Sequence, residues 1–245
     1  MKVDKIYVLA IRHTQEKIDS IKERLVQLDT DGVTPYEIII GHDGWNDSLP
    51  DDVKVYRGWA IPESWNDFWK LPVQPGEIGC TLSHISAWRK ILEDGVKTAL
   101  ILEEDFIPVR SIKSMPPPDK TWPFNWDYLT LGRYVFDGAH DIKLDENYCI
   151  PSLHYNMHAY MLTDQASFKL LSYNLHKNII PVDEFMPVTY IDHRRPDINF
   201  IWPLKQIIPL ATNELYVSQS SDADTTTVSG HTKTFENRDR TSNHG

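Results

Sequence analysis

Apolar residues along this chain fall into blocks with two different periods. Lys5–Ile11 is a nearly continuous apolar run, Tyr36–Ile40 is another, and Thr98–Leu102 (TALIL) is the densest. Runs without alternation predict strands buried on both faces, as in parallel sheets. Between the first two, Ile18, Ile21, Leu25 and Leu28 recur at three- and four-residue spacing. That spacing predicts a helix with one core face, and Thr14 stands where its N-cap belongs. Leu82, Ile85, Trp88 and Leu92 predict a second helix, with Gly95 just past its end. Trp126–Leu131 and Tyr155–Leu162 predict further strands. A helix carrying Phe168, Leu170 and Leu171 is expected from Asp164, and Ile198–Ile208 reads as more apolar strand material.

The polar stretches complete the outline. Residues 45–75 are rich in Trp, Pro and Asp and predict a long excursion, read here as an active-site flap. Ser114–Pro118 is a proline-rich loop, and residues 133–152 read as irregular. Residues 1–225 form one expected domain, and 226–245 a polar, flexible tail. Strands alternating with helices predict an α/β fold with a mainly parallel sheet flanked by helices. Ligands of such sheets sit outside the carboxyl ends of the strands. That rule selects residues 12–14, 42–44, 103–106 and 132–134 as site walls.

Charge narrows the function classes. The 245 residues carry 25 Lys and Arg against 35 Asp and Glu, a net charge of −10. Nucleic acid and anionic membrane surfaces are therefore disfavoured partners. The apolar run Ile6–Ile11 is too short for a signal peptide or a membrane span, and no stretch elsewhere reaches transmembrane length. The expectation is a soluble cytoplasmic protein, with a homodimer left open. The two cysteines, Cys80 and Cys149, form no disulfide framework or cysteine-type zinc site and read as reduced, partly buried thiols.

The run Glu103-Glu104-Asp105 directly follows the densest strand. Alternate residues of an extended chain point the same way, so Glu103 and Asp105 share a direction while Glu104 turns aside. Two carboxylates on one side suit a hard cation, Mg²⁺ or Mn²⁺; the alternative is a solvated acidic turn or an ion pair. Asp183 and Glu184 form a second acidic pair after Ile179–Val182, read as a loop. They suit a general base or a helix cap. The run His193-Arg194-Arg195 fits a diphosphate or a basic surface cluster. His84 and His158, flanked by apolar residues, read most simply as hydrogen-bonded structural groups. No P-loop, G-x-S-x-G or H-E-x-x-H motif occurs.

The stretch from Gly76 to Phe106, GEIGCTLSHISAWRKILEDGVKTALILEEDF, resembles the signature of glycosyltransferase family 25, with its Gly-Cys-x-Leu-Ser-His helix start and its apolar strand ending in Glu-Asp-Asp. The opening KIYVLAIRHTQEKIDSIKERL, Asp43-Gly44, the segment 126–132, His158-Ala159-Tyr160 and PVDEFM at 181–186 resemble further family segments in the same order, over roughly residues 4–222. Glu104 stands where the family usually has Asp.

The resemblance implies a GT-A fold and inverting transfer of a hexose or N-acetylhexosamine from a UDP-sugar to a hydroxyl of a glycan, a glycolipid or a collagen-like hydroxylysine. It implies Mn²⁺ or Mg²⁺ held by Glu103 and Asp105, with Asp183 as the base and Glu184 and Asp222 as weaker candidates. Donor contacts are expected from Ala10, Ile11, Arg12 and Thr14, from Asp43 and Gly44, from Ser83 and His84, and from Glu104. His158 and Tyr160 are expected along the sugar pocket. Trp59 and Trp65 suit sugar stacking or packing of the excursion. The rival readings are a non-catalytic sugar- or nucleotide-binding module of the same fold, a metal-dependent phosphoesterase, and an interaction protein with an acidic face.

Overall fold

Each apolar block becomes an element in the computed structural model, which describes residues 2–11, 13–29, 32–135 and 140–220. Strand β1 (Lys5–Ala10) leads into helix α1 (Gln15–Leu28), capped by the Thr14 hydroxyl accepting the Lys17 N–H at 3.2 Å. Strand β2 (Tyr36–Ile40) returns parallel to β1. After the excursion come helix α2 (Pro75–Glu93) and strand β3 (Thr98–Glu103), which pairs in parallel on the other side of β1. The short strands β4 (Phe106–Pro108), β5 (Tyr128–Thr130), β6 (Tyr134–Val135), β7 (Ile142–Lys143), β8 (Tyr148–Ile150) and β9 (His154–Tyr155) follow. Then come β10 (Ala159–Thr163), α3 (Asp164–Ser172), α4 (Val182–Val188), α5 (Pro196–Ile201), β11 (Pro209–Thr212) and β12 (Val217–Gln219).

Eight strands form one sheet in the order β2-β1-β3-β10-β5-β11-β8-β7. The expected parallel pairing holds for β2-β1-β3 and for β5-β11, while β10 runs antiparallel to both β3 and β5, so the sheet is mixed. Both faces are covered. Tyr7, Leu9, Ala99 and Ile101 pack into a core with α2, α3 and α4. Ile6, Val8, Leu100 and Leu102 pack on the other face with Ile21, Leu25 and Leu28 of α1. Two buried faces explain why these strands read as unbroken apolar runs.

Several segments depart from the sequence reading. Ile198–Ile208 is no strand: it opens with α5, where Pro196 supplies a first-turn residue needing no N–H partner. Sheet pairing resumes only at β11. Asp183 and Glu184 occupy the first turn of α4 rather than a loop. Tyr155–Leu162 is broken at Asn156, whose φ of 74° ends β9 before β10 begins. The irregular stretch 133–152 contributes β7 and β8 to the sheet edge.

The excursion is packed rather than flap-like. Trp59 and Trp69 are buried, and the buried Arg195 guanidinium donates to the carbonyls of Gly58 and Trp59. Among the described residues no helix is long and apolar enough to cross a membrane. The expected tail at 226–245, Arg12 and Asp222 lie outside the described residues.

Candidate active site

The alternation of β3 carries past its last hydrogen bond and sorts the acidic run. Odd-numbered side chains of this strand face α2 and even-numbered ones face α1. Glu103 accordingly reaches α2: its Oε1 lies 3.0 Å from His84 Nε2 and accepts the Cys80 thiol at 3.4 Å. Glu104 turns to α1 and pairs with Lys17 at 2.8 Å. From α1, Arg24 donates to the carbonyls of Glu104 and Phe106, fixing the backbone of the turn between β3 and β4. Asp105 Oδ2 accepts from Gln219 Nε2 at 2.8 Å, while its Oδ1 is buried without a hydrogen-bond partner.

These groups border an open cleft at the carboxyl ends of the parallel strands β1 and β3. Ala10 and Ile11 from the end of β1, Ser83 and His84 from α2, and Glu103, Glu104 and Asp105 line it, whereas residues 13–14, 42–44 and 132–133 do not. Gly41, Gly76, Cys80 and Gln219 line it as well. Cys80 and His84 stand four residues apart in α2, a spacing that signals one shared helix face. Gln219 comes from β12, whose three residues carry no motif, so its arrival beside Asp105 has no local signature.

Ser83 also has a structural task, and the remaining candidates do not line the cleft. Ser83 binds the loop after β2: its Oγ accepts the His42 N–H at 3.0 Å and donates to the Gly79 carbonyl. Asp43 spends its carboxylate on the turn it starts, accepting from the N–H groups of Trp45 and Asn46 and from the Asn46 amide. Gly44 packs so tightly on α2 that an added Cβ would lie 1.7 Å from the Pro75 carbonyl oxygen. Thr14 is committed to its cap.

Tyr160 lies beneath the cleft rather than along it, fully buried. Its hydroxyl accepts from Trp88 Nε1 at 2.9 Å and sits 2.8 Å from His84 Nδ1. His158 is buried, with Nε2 donating to the Val217 carbonyl and Nδ1 unpartnered. Glu184 is buried in a structural network, accepting from the Tyr155 hydroxyl at 2.6 Å and from His193 Nε2 at 2.7 Å. His193 and Arg195 belong to this clasp and to Asp197, not to an anion site. Trp65 is exposed and meets the buried Trp69 edge-on.

Crowded carboxylates leave an electrostatic imprint. Burial and then the charge of Glu103 push Asp105 above the usual carboxylate range; the Gln219 bond opposes that shift. Burial, and next Glu103, push Asp183 up to about 7, although its Oδ1 accepts the Met157 N–H at 2.9 Å. Burial would raise Glu103 too, but its bond to His84 wins and holds it low. Burial and the surrounding acids push the Cys80 thiol well up. The charge of Glu103 reaches both Asp105 and Asp183, and Asp105 keeps a buried lone oxygen, so the environment is short of positive charge. Oxygen donors of this kind fit a hard divalent cation.

Comparison with known proteins agrees with the motif reading. Residues 3–115 match the model for glycosyltransferase family 25 (LPS biosynthesis protein). Procollagen galactosyltransferase 1-A of Xenopus laevis is 22% identical over 224 residues, covering 88% of this chain and 36% of that protein. The Homo sapiens protein named inactive glycosyltransferase 25 family member 3 is 23% identical over 212 residues, covering 82% of this chain and 34% of its own. This chain thus spans about a third of the length of these curated relatives. Among solved structures, a glycosyltransferase involved in glycosylation of the major capsid of PBCV-1 aligns with a TM-score of 0.40 and 11% identity, over 84% of this chain and 80% of that one.

Proposed function

We propose that the chain, whose residues 3–115 match the model for glycosyltransferase family 25, is a GT-A-type, metal-dependent inverting glycosyltransferase using a UDP-sugar. The observation that carries this reading is the unpartnered, buried Asp105 Oδ1 on a cleft that also contains Glu103. Glu103 and Asp105 are the residues that would hold Mn²⁺ or Mg²⁺. A divalent cation bound there supplies the positive charge that stabilises a diphosphate leaving group.

The protein's own groups do the rest. Transfer forms a bond from the acceptor oxygen to the anomeric carbon, and the bond from that carbon to the UDP oxygen breaks, its electron pair leaving with UDP. The acceptor hydroxyl must lose a proton. Asp183, with its pKa raised to about 7 by burial and by Glu103, is basic enough to take it onto its carboxylate near neutral pH. Met157 N–H holds one carboxylate oxygen and so fixes its orientation. Ala10, Ile11 and Gly41 form the wall available to the nucleoside. Galactose is the first sugar to test, since a relative is named for it.

The test is UDP release by the full chain from UDP-galactose, UDP-glucose and UDP-N-acetylglucosamine, each with Mn²⁺ and with a chelator. Metal-dependent release from one donor is expected. D105A should abolish it, and D183N should lower kcat more than it weakens UDP binding. Release that persists in chelator would remove the metal from the reading. UDP-sugar binding without release in any donor would instead favour the non-catalytic module.

A further inference from the structure

Cys80 and His84 project from one face of α2, and Glu103 meets them from the end of β3. The thiol sulfur lies 3.4 Å and His84 Nε2 3.0 Å from Glu103 Oε1, and all three atoms fall within 4.8 Å of one another. A tetrahedral zinc ion with bonds of roughly 2.0–2.3 Å spaces its ligand atoms about 3.3–3.8 Å apart. The three side chains already stand near that spacing. One thiol, one imidazole and one carboxylate make a borderline-soft donor set that suits Zn²⁺ and not Mg²⁺.

Two further observations point the same way. All three residues line the cleft, so a fourth coordination position would open onto it. The far side of the imidazole is also held: His84 Nδ1 lies 2.8 Å from the Tyr160 hydroxyl, whose oxygen is fixed by Trp88 Nε1 at 2.9 Å. Metal-bound histidines characteristically have such an outer partner on the second ring nitrogen.

We infer that Cys80, His84 and Glu103 form a three-ligand site for a thiophilic divalent cation, with Zn²⁺ as the fitting ion. Binding releases the Cys80 thiol proton to solvent and leaves the sulfur as a thiolate. The imidazole ligates through Nε2, its ring proton shifting from the Nε2 that faces Glu103 to Nδ1, where the Tyr160 oxygen accepts it. The site stands whether or not the chain transfers sugars. One consequence does rest on the function proposed above: Zn²⁺ engages Glu103 and therefore antagonises Mn²⁺-dependent turnover.

The test is a Co²⁺ titration of the chelator-treated full chain, read by absorbance. A saturable one-to-one thiolate-to-cobalt charge-transfer band is expected, and Zn²⁺ should displace it. C80S should remove the band and weaken Zn²⁺ binding at least tenfold. C149S, which alters the other cysteine, and D105N should both retain the band. X-ray absorption of the zinc-loaded wild type should show one sulfur neighbour, a reading that needs no variant to fold. No band in the wild type, the same band in C80S, or zinc without a sulfur neighbour would overturn the site. Failure of sugar transfer would leave these readings untouched.

Discussion

Gln219, the last residue of β12, donates its amide N–H to Asp105 Oδ2 at 2.8 Å and so joins the end of the described chain to the acidic turn after β3. The Ser220 N–H adds a bond to the Asp105 carbonyl. Both bonds aim the carboxylate without using its second oxygen. The Gln219 bond also favours the ionised form of Asp105 against burial. Q219L is therefore expected to weaken Mn²⁺ binding about tenfold, the usual scale for losing an outer partner of a ligand. Calorimetry or Mn²⁺ electron paramagnetic resonance reads the effect. An unchanged affinity would mean that Asp105 is not positioned this way.

Gly44 is held by packing. Its Cα lies against the first turn of α2, where a Cβ would sit 1.7 Å from the Pro75 carbonyl oxygen and 3.1 Å from the Gly79 N. Gly79 has the matching constraint: a Cβ added there would lie 2.4 Å from the His42 carbonyl oxygen. No side-chain rotation relieves a clash with backbone. G44A is expected to destabilise the fold by about 1–3 kcal/mol, the range for forced overpacking. Denaturant unfolding monitored by tryptophan fluorescence measures it.

Both positions show what the residues disclose and what they conceal. β1, α1, β2, α2 and β3 were legible because each has a strong period and a sharp boundary. The parity of β3 then sent Glu103 and Glu104 to opposite helices, as alternation requires. Gln219 and Gly41 were not legible, because their place at the cleft depends on contacts across more than a hundred and across some forty residues, respectively. Asp43 and Glu184 look the same in sequence whether a carboxylate serves a turn, a buried clasp or a ligand. The apolar content of 198–208 could not show that Pro196 starts a helix there. Asp43 and Gly44 lie just past Gly41, yet Asp43 shapes its own turn and Gly44 docks that turn on α2.

Arg195 clasps the excursion to the core. Its guanidinium donates to the Trp59 and Gly58 carbonyls, pairs with Asp197 at 2.7 Å and lies 4.9 Å from the Trp59 ring centre. Lysine has neither the planar fork nor the stacking face for this. R195K is expected to cost roughly 2–3 kcal/mol, on the scale of breaking a buried charged network. Protease nicking between residues 45 and 75 should also accelerate. A variant as stable and as resistant as wild type would contradict the clasp.

His154 makes the fold acid-sensitive. Its ring is buried between two tyrosines, with Nδ1 3.0 Å from the Tyr190 hydroxyl and Nε2 3.4 Å from the Tyr128 hydroxyl. Among the described residues, the charge of Arg133 opposes its protonation and that of Asp141 favours it. Burial, then Arg133, lowers its pKa from an ordinary 6.5 to about 3. The unfolded chain therefore takes up a proton that the folded chain refuses. Stability from this group is complete above the unfolded pKa and is lost progressively as pH falls from 6.5 toward about 3. Between pH 7 and pH 5 the loss amounts to roughly 2 kcal/mol. H154Q keeps a hydrogen-bonding side chain that cannot take up a proton. Its stability at pH 7 should be somewhat lower than that of the wild type, and its slope between pH 6.5 and pH 5 should be shallower by about one bound proton. Urea unfolding at a series of pH values measures both, and an equal slope in the two proteins would show that His154 is already protonated in the native state or stays neutral in the unfolded one.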